Sequence, residues 1–151
     1  MFSSCSAVEK IDVSRFNTEN VTDFSEMFFF CEKLKSISGL KFNTKKATDI
    51  AFMFTNCKDL VTLDLSNFNT ENVKEMRMMY NSCQSLETLN LSNFKTPNLK
   101  CIEYMFNECK SLEYLNISNF NFEKIESIDS NIFDKCNSLE KKILLLKTRK
   151  S

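Results

Sequence analysis

The sequence predicts an α/β repeat solenoid in which each unit of 26 residues contributes one parallel strand and one short helix, and three observations carry that prediction. Phe16, Phe42, Phe68, Phe94 and Phe120 follow one another at an interval of 26 residues. So do Cys5, Cys31, Cys57, Cys83 and Cys109, with Cys136 one residue late. The same register carries Leu34, Leu60, Leu86 and Leu112, then the pairs Met27-Phe28, Met53-Phe54, Met79-Tyr80 and Met105-Phe106, with Met1-Phe2 in that last column. A fixed period of this length marks a repeat architecture, because one unit cannot bury its apolar face until a neighbour stacks on it.

Each element follows from one unit. Val73, Met76, Met79-Tyr80 and Cys83 recur at three to four residues, and Asn72 with Glu75 has the form of an N-cap and its reciprocal acid, so this stretch predicts a short helix. After it, Leu89 and Leu91 alternate with Thr88, Asn90 and Ser92, the period of a strand with one buried face. The register places strands at about residues 10–14, 36–40, 62–66, 88–92 and 114–118, with helices leading to Cys31, Cys57, Cys83, Cys109 and Cys136. In the link between units, Thr18, Thr44, Thr70 and Thr96 can bond nearby backbone, which a tightly wound corner needs. The second unit departs from the pattern: Gly39 takes an inward slot and Leu40 an outward one, which predicts a bulge or slip. Residues 1–140 therefore form a single solenoid, a partial N-terminal repeat over 1–11 followed by five repeats, and residues 141–151 a cap and basic tail in which Ile143 to Leu146 lie over the last open turn. The first turn starts inside a unit, so residues 1 to about 10 are expected to exchange amide hydrogens fastest, or to be covered by upstream sequence or by self-association.

The run Leu86-Glu87-Thr88-Leu89-Asn90-Leu91-Ser92-Asn93-Phe94 resembles the leucine-rich-repeat strand, with Phe where Asn or Cys is usual. The longer unit, Leu63-Asp64-Leu65-Ser66-Asn67-Phe68-Asn69-Thr70 with Asn72-Val73, Met79-Tyr80, Cys83 and Leu86, is similar to the BspA-like leucine-rich-repeat surface proteins. The resemblance implies a leucine-rich-repeat-like right-handed solenoid, a place at the cell surface or outside the cell, and adhesion or protein binding. It implies no catalytic residues. The first thirty residues do not read as a signal peptide, so export requires a signal outside this chain, and a cytoplasmic location is the alternative.

Composition narrows function. Histidine is absent, which excludes imidazole bases and histidine-containing metal sites, and a single glycine excludes glycine-rich phosphate loops. The chain is expected not to be an enzyme and to need no cofactor. Lysine plus arginine and aspartate plus glutamate each total 20, so no net field draws it to nucleic acid, and no apolar run is long enough for a membrane span. The cysteine column reads as buried reduced thiols, since no local pair has zinc spacing; disulfides between neighbouring turns are the alternative. Cys101, off the column, is the thiol expected to react first.

The candidate binding residues are the outward strand positions Asp12; Thr62, Asp64 and Ser66; Thr88, Asn90 and Ser92; and Tyr114, Asn116 and Ser118. They predict a regular polar lattice on one sheet face, with Tyr114 its aromatic anchor. The expected partner is a protein or a cell-surface ligand, and an intracellular protein-interaction scaffold of the same fold is the alternative. Asn67, Asn93 and Asn119 read instead as a hydrogen-bonded ladder between turns.

Overall fold

The computed structural model describes residues 1–126 and 130–139; the cap expected over 141–151 lies outside them. Four short strands recur in the expected register: β1 (Lys10–Asp12), β2 (Ser36–Ser38), β3 (Thr88–Asn90) and β4 (Tyr114–Asn116). β1 pairs parallel with β2, Ile11 opposite Ile37, and β3 pairs parallel with β4, Leu89 opposite Leu115. Successive coils of the chain therefore lie one unit apart, each hydrogen-bonded to the next.

The expected helices are absent among the described residues, where the one helical element is the 3₁₀ turn Ser130–Phe133. In their place each unit runs through successive four-residue turns. The amides of Met27 and Cys31 bond back to the carbonyls of Phe24 and Phe28, while those of Phe24, Glu26, Phe28 and Phe30 cross to Asp49, Ala51, Met53 and Thr55 on the next coil at 2.8–3.0 Å. The pattern repeats downstream, as in Phe54 to Met79 and Tyr80 to Met105, each at 3.0 Å. Every second amide thus finds a neighbouring coil's carbonyl where a helix would use its own. Both arrangements satisfy the backbone, and both return the chain to the same face every three to four residues, which is why the apolar spacing imitated a helix.

This winding needs left-handed backbone at recurrent places. Glu26, Phe30, Phe52, Asn56, Met78, Ser82, Tyr104 and Glu108 all have φ between 51° and 60°. Each such residue costs about 1–2 kcal/mol, and the net hydrogen bond to the adjacent coil, about 0.5–1.5 kcal/mol, offsets much of it. None of them is Val, Ile or Thr, the side chains that resist this conformation most.

Two aromatic stacks form the core. Phe2, Phe28, Phe54, Tyr80, Phe106 and Phe133 lie nearly parallel, ring centroids 5.4–5.9 Å apart. Phe42, Phe68, Phe94 and Phe120 form the second at 6.1–6.4 Å, with Phe68 buried between Phe42 and Phe94. Phe16 leaves that second column: it stacks on Phe2 and is exposed, while Phe24 takes the place against Phe42. Stacked rings of this kind add to the area they bury.

Tyr80 occupies a column that is otherwise phenylalanine, and its hydroxyl is the one buried side-chain polar atom without a partner among the described residues. Replacing Tyr80 by Phe removes that stranded group and keeps the ring. The variant is expected to be more stable by about 1–3 kcal/mol, read as a higher denaturation midpoint with an unchanged slope.

Polar columns staple the coils. Thr44 Oγ1 donates to the Asn69 carbonyl at 2.9 Å and accepts from the Asn69 amide at 2.8 Å, and Thr18, Thr70 and Thr96 repeat the contact to the next coil's carbonyl. Asn67 donates to the Phe42 carbonyl, Asn93 to those of Leu65 and Phe68, and Asn119 to that of Ser92, the ladder expected of that column. The thiols of Cys31, Cys57, Cys83, Cys109 and Cys136 each donate to a carbonyl of the preceding coil, and all seven cysteines are free. Burial pushes the Cys57, Cys83 and Cys109 thiols well up, and that of Cys136 up to about 11, so the column packs as neutral side chains.

Candidate functional site

The outward strand residues share the strands' solvent side, and the pairing sets them in rows: Thr88 beside Tyr114 and Asn90 beside Asn116. Asp12, Thr62, Asp64, Ser66, Thr88, Asn90, Tyr114 and Ser118 are exposed; Ser92 and Asn116 are half-buried. Tyr114 is exposed over half its surface, a large aromatic side chain left in water.

The acid and amide column of this face has a structural task that alternation did not disclose. Asp12, Asp64, Asn90 and Asn116 each accept, through Oδ1, the amide of the serine two residues on, at 2.9–3.1 Å. These Asx turns close four of the five units and aim the chain into the corner; the second unit, with Ser38 at this place, has none. The Ser14 and Ser66 amides and hydroxyls hold the Asp12 and Asp64 carboxyls below their ordinary values. The signal was present in the sequence as D-x-S at 12–14 and 64–66 and N-x-S at 90–92 and 116–118.

The face is not one continuous sheet. The stretch Thr62 to Ser66, expected as the third strand, pairs with neither neighbour, and two separate two-stranded sheets result. Val13 donates to the Ser38 carbonyl at 3.0 Å and Leu91 to the Asn116 carbonyl at 2.8 Å; Gly39 and Leu65, at the same place in the units between, make no such bond.

Between the second and third coils the cause lies in the second unit. Gly39 has φ +67°, and a Cβ there would fall 2.4 Å from Ser14 Cβ and 2.5 Å from Ser14 Cα. Only glycine permits that approach. After Gly39 the register slips by one, so Leu40, expected outward, is buried in the core in place of the usual inward residue. The second coil is drawn onto the first and away from the third. A cleft of about 560 Å³ opens between them, lined in part by Ser36, Ile37, Lys41, Leu63, Asp64 and Asn67. A second, of about 350 Å³, lies between Thr62–Ser66 and Thr88–Asn93. Ser36, Gly39 and Lys41 were missed as site residues; the lone glycine was the clue.

Off this face, Asp23, Asp49, Glu75 and Cys101 stack at one position in four successive coils, joined by single parallel bridges. Burial and the neighbouring Asp49 raise the Glu75 carboxyl above its ordinary value, so its ionised form opposes folding. That contribution favours the fold below the unfolded-state value near pH 4.3 and is lost as pH rises through the higher folded value. Glu75→Gln is therefore expected to be more stable than the parent at neutral pH, with the difference vanishing in acid, as denaturation across pH would record. No group of three Cys, Asp or Glu side chains among the described residues is placed to hold a metal ion, and no described helix is long and apolar enough to cross a membrane.

A family model described as Mycoplasma protein of unknown function, DUF285, matches residues 1–61 and again residues 34–146. The two matches overlap over 34–61, as a model laid twice on a repeated text would. No curated protein matches the chain.

Proposed function

The chain belongs to the family described as Mycoplasma protein of unknown function, DUF285, and from that premise we propose that it is a non-enzymatic binding protein that holds a protein or cell-surface partner on the outward face of its strands. In this reading the coils form a right-handed solenoid of the leucine-rich-repeat-like kind, akin to BspA-like surface proteins, with turns in place of helices. The observation that carries the reading is the row of exposed side chains at Thr88, Asn90, Tyr114 and Ser118, anchored on a backbone fixed by the coil below. Repetition makes such a face rigid and extended, and an exposed tyrosine at its centre is the residue type that dominates protein contacts. The non-enzymatic part rests on the absence of histidine, which leaves no imidazole base to activate a nucleophile. A second reading, an interaction scaffold in a reducing compartment, is favoured by the seven free thiols.

The test is saturable binding of labelled protein to intact host cells, compared among the parent, Tyr114→Ala with Thr88→Ala, and Lys33→Ala. Loss in the face variant with retention in Lys33→Ala, an exposed residue outside the strand positions, supports the reading. Binding that ignores both changes overturns it. Binding confined to cytosolic extract favours the scaffold.

A further inference from the structure

The cleft between the second and third coils is more than a gap in a sheet. Its walls carry backbone groups that parallel pairing would have used: the amides of Gly39, Thr62 and Asp64 have no backbone partner among the described residues. Unpaired strand edges ordinarily invite another strand. Here they cannot take one, because the coils are clamped at both ends of the opening. The Asp59 amide bonds the Glu32 carbonyl at 3.1 Å, and Asn67 Nδ2 bonds the Phe42 carbonyl at 3.2 Å. Beneath it the Phe42 and Phe68 rings stay 6.4 Å apart. An inserted strand would need about twice the 4.8 Å strand spacing. The occupant must be compact, and it must offer hydrogen bonds on several sides.

The lining says which kind. Lys41 contributes a donor-only ammonium with no carboxylate in salt-bridge range among the described residues, and Asp64 an acceptor-only carboxylate with one oxygen bonded to the Ser66 amide. One charge of each sign leaves the cleft neutral. Ser36 and Thr62 hydroxyls both donate and accept, and the half-buried Ile37 and Leu63 give an apolar floor. A ligand that matches is neutral, carries several hydroxyls that each donate and accept, and has an apolar C–H face.

We propose that this cleft binds a neutral hexopyranoside, one or two sugar rings in size, with the sugar hydroxyls on Asp64, Lys41 and the free strand amides. Its volume lies in the range of small-molecule pockets. The proposal rests on the binding-face reading above and names a ligand class for it.

The test is an amide-resolved NMR titration of the full chain with the methyl α-glycosides of glucose, galactose and mannose, against glucuronate and a neutral seven-residue peptide. The expected result is saturable millimolar binding of at least one neutral glycoside, with shifts at Gly39, Thr62 and Asp64. Asp64→Asn keeps the strand-end turn, since Asn90 and Asn116 make the same contact to their serines. It should nevertheless weaken the glycoside by about tenfold or more, the effect of losing one charge-assisted hydrogen bond. Lys41→Met should act likewise, while Lys74→Ala, an exposed change beside the Glu75 column off this face, should leave glycoside affinity unchanged. Absence of shifts with every neutral glycoside, shifts confined to other coils, preference for glucuronate or the peptide, or an unchanged Asp64→Asn each overturns the proposal. If cell binding is then still lost with Tyr114→Ala, the binding-face reading stands and only the sugar assignment falls.

Discussion

Replacing Phe68 by alanine is expected to destabilise the protein by about 3–5 kcal/mol, the range for truncating a buried aromatic side chain. Phe68 is almost fully buried, its ring is stacked on Phe94 at 6.4 Å with planes 3° apart, and it meets Phe42 at 6.4 Å on the other side. Both neighbours lose a partner at once. The clamps at Asn67 and Thr44 limit how far the coils can settle into the void, which places the cost toward the upper end. Equilibrium denaturation reads the loss directly; a midpoint unchanged from the parent would mean that this column carries little of the core.

Gly39→Ala is expected to cost about 3 kcal/mol or more, because the change combines a left-handed backbone that alanine resists with a Cβ driven into the Ser14 backbone. At 2.4 and 2.5 Å from Ser14 Cβ and Cα, no side-chain rotation relieves the overlap. The second coil must retreat from the first. The pairing of β1 with β2 should loosen, so exchange of the Ser38 and Val13 amides should accelerate well before that of Asn116 and Leu91. Uniform acceleration throughout the stack would show that the strain is shared rather than local.

The spacing of Phe, Cys and Leu was enough to read the repeat and the inward columns, because a residue that must meet its counterpart in the next coil cannot drift from the register. Phe68 and the Asn67, Asn93 and Asn119 ladder are found where that logic puts them. The local backbone was not legible in the same way. Val73, Met76, Met79 and Cys83 report only that the chain returns inward every few residues, and turns with left-handed residues do so as well as a helix does. What separates the two is the destination of each amide, a long-range fact that no local pattern holds. The strand text of Thr62 to Ser66 is likewise as regular as that of Thr88 to Ser92, yet it is unpaired, and on the side of the second coil the slip at Gly39 accounts for it. The outward acids looked like free ligand groups, and a neighbour two residues away already holds Asp12 and Asp64.

The account stands on coils joined to each other by alternate amides, and scalar coupling across hydrogen bonds tests that claim most directly. The Tyr80 amide nitrogen should couple to the carbonyl carbon of Met105, and that of Phe54 to the carbonyl carbon of Met79. Coupling of the Tyr80 amide to the Met76 carbonyl, four residues back in its own unit, would instead establish a helix and contradict the account.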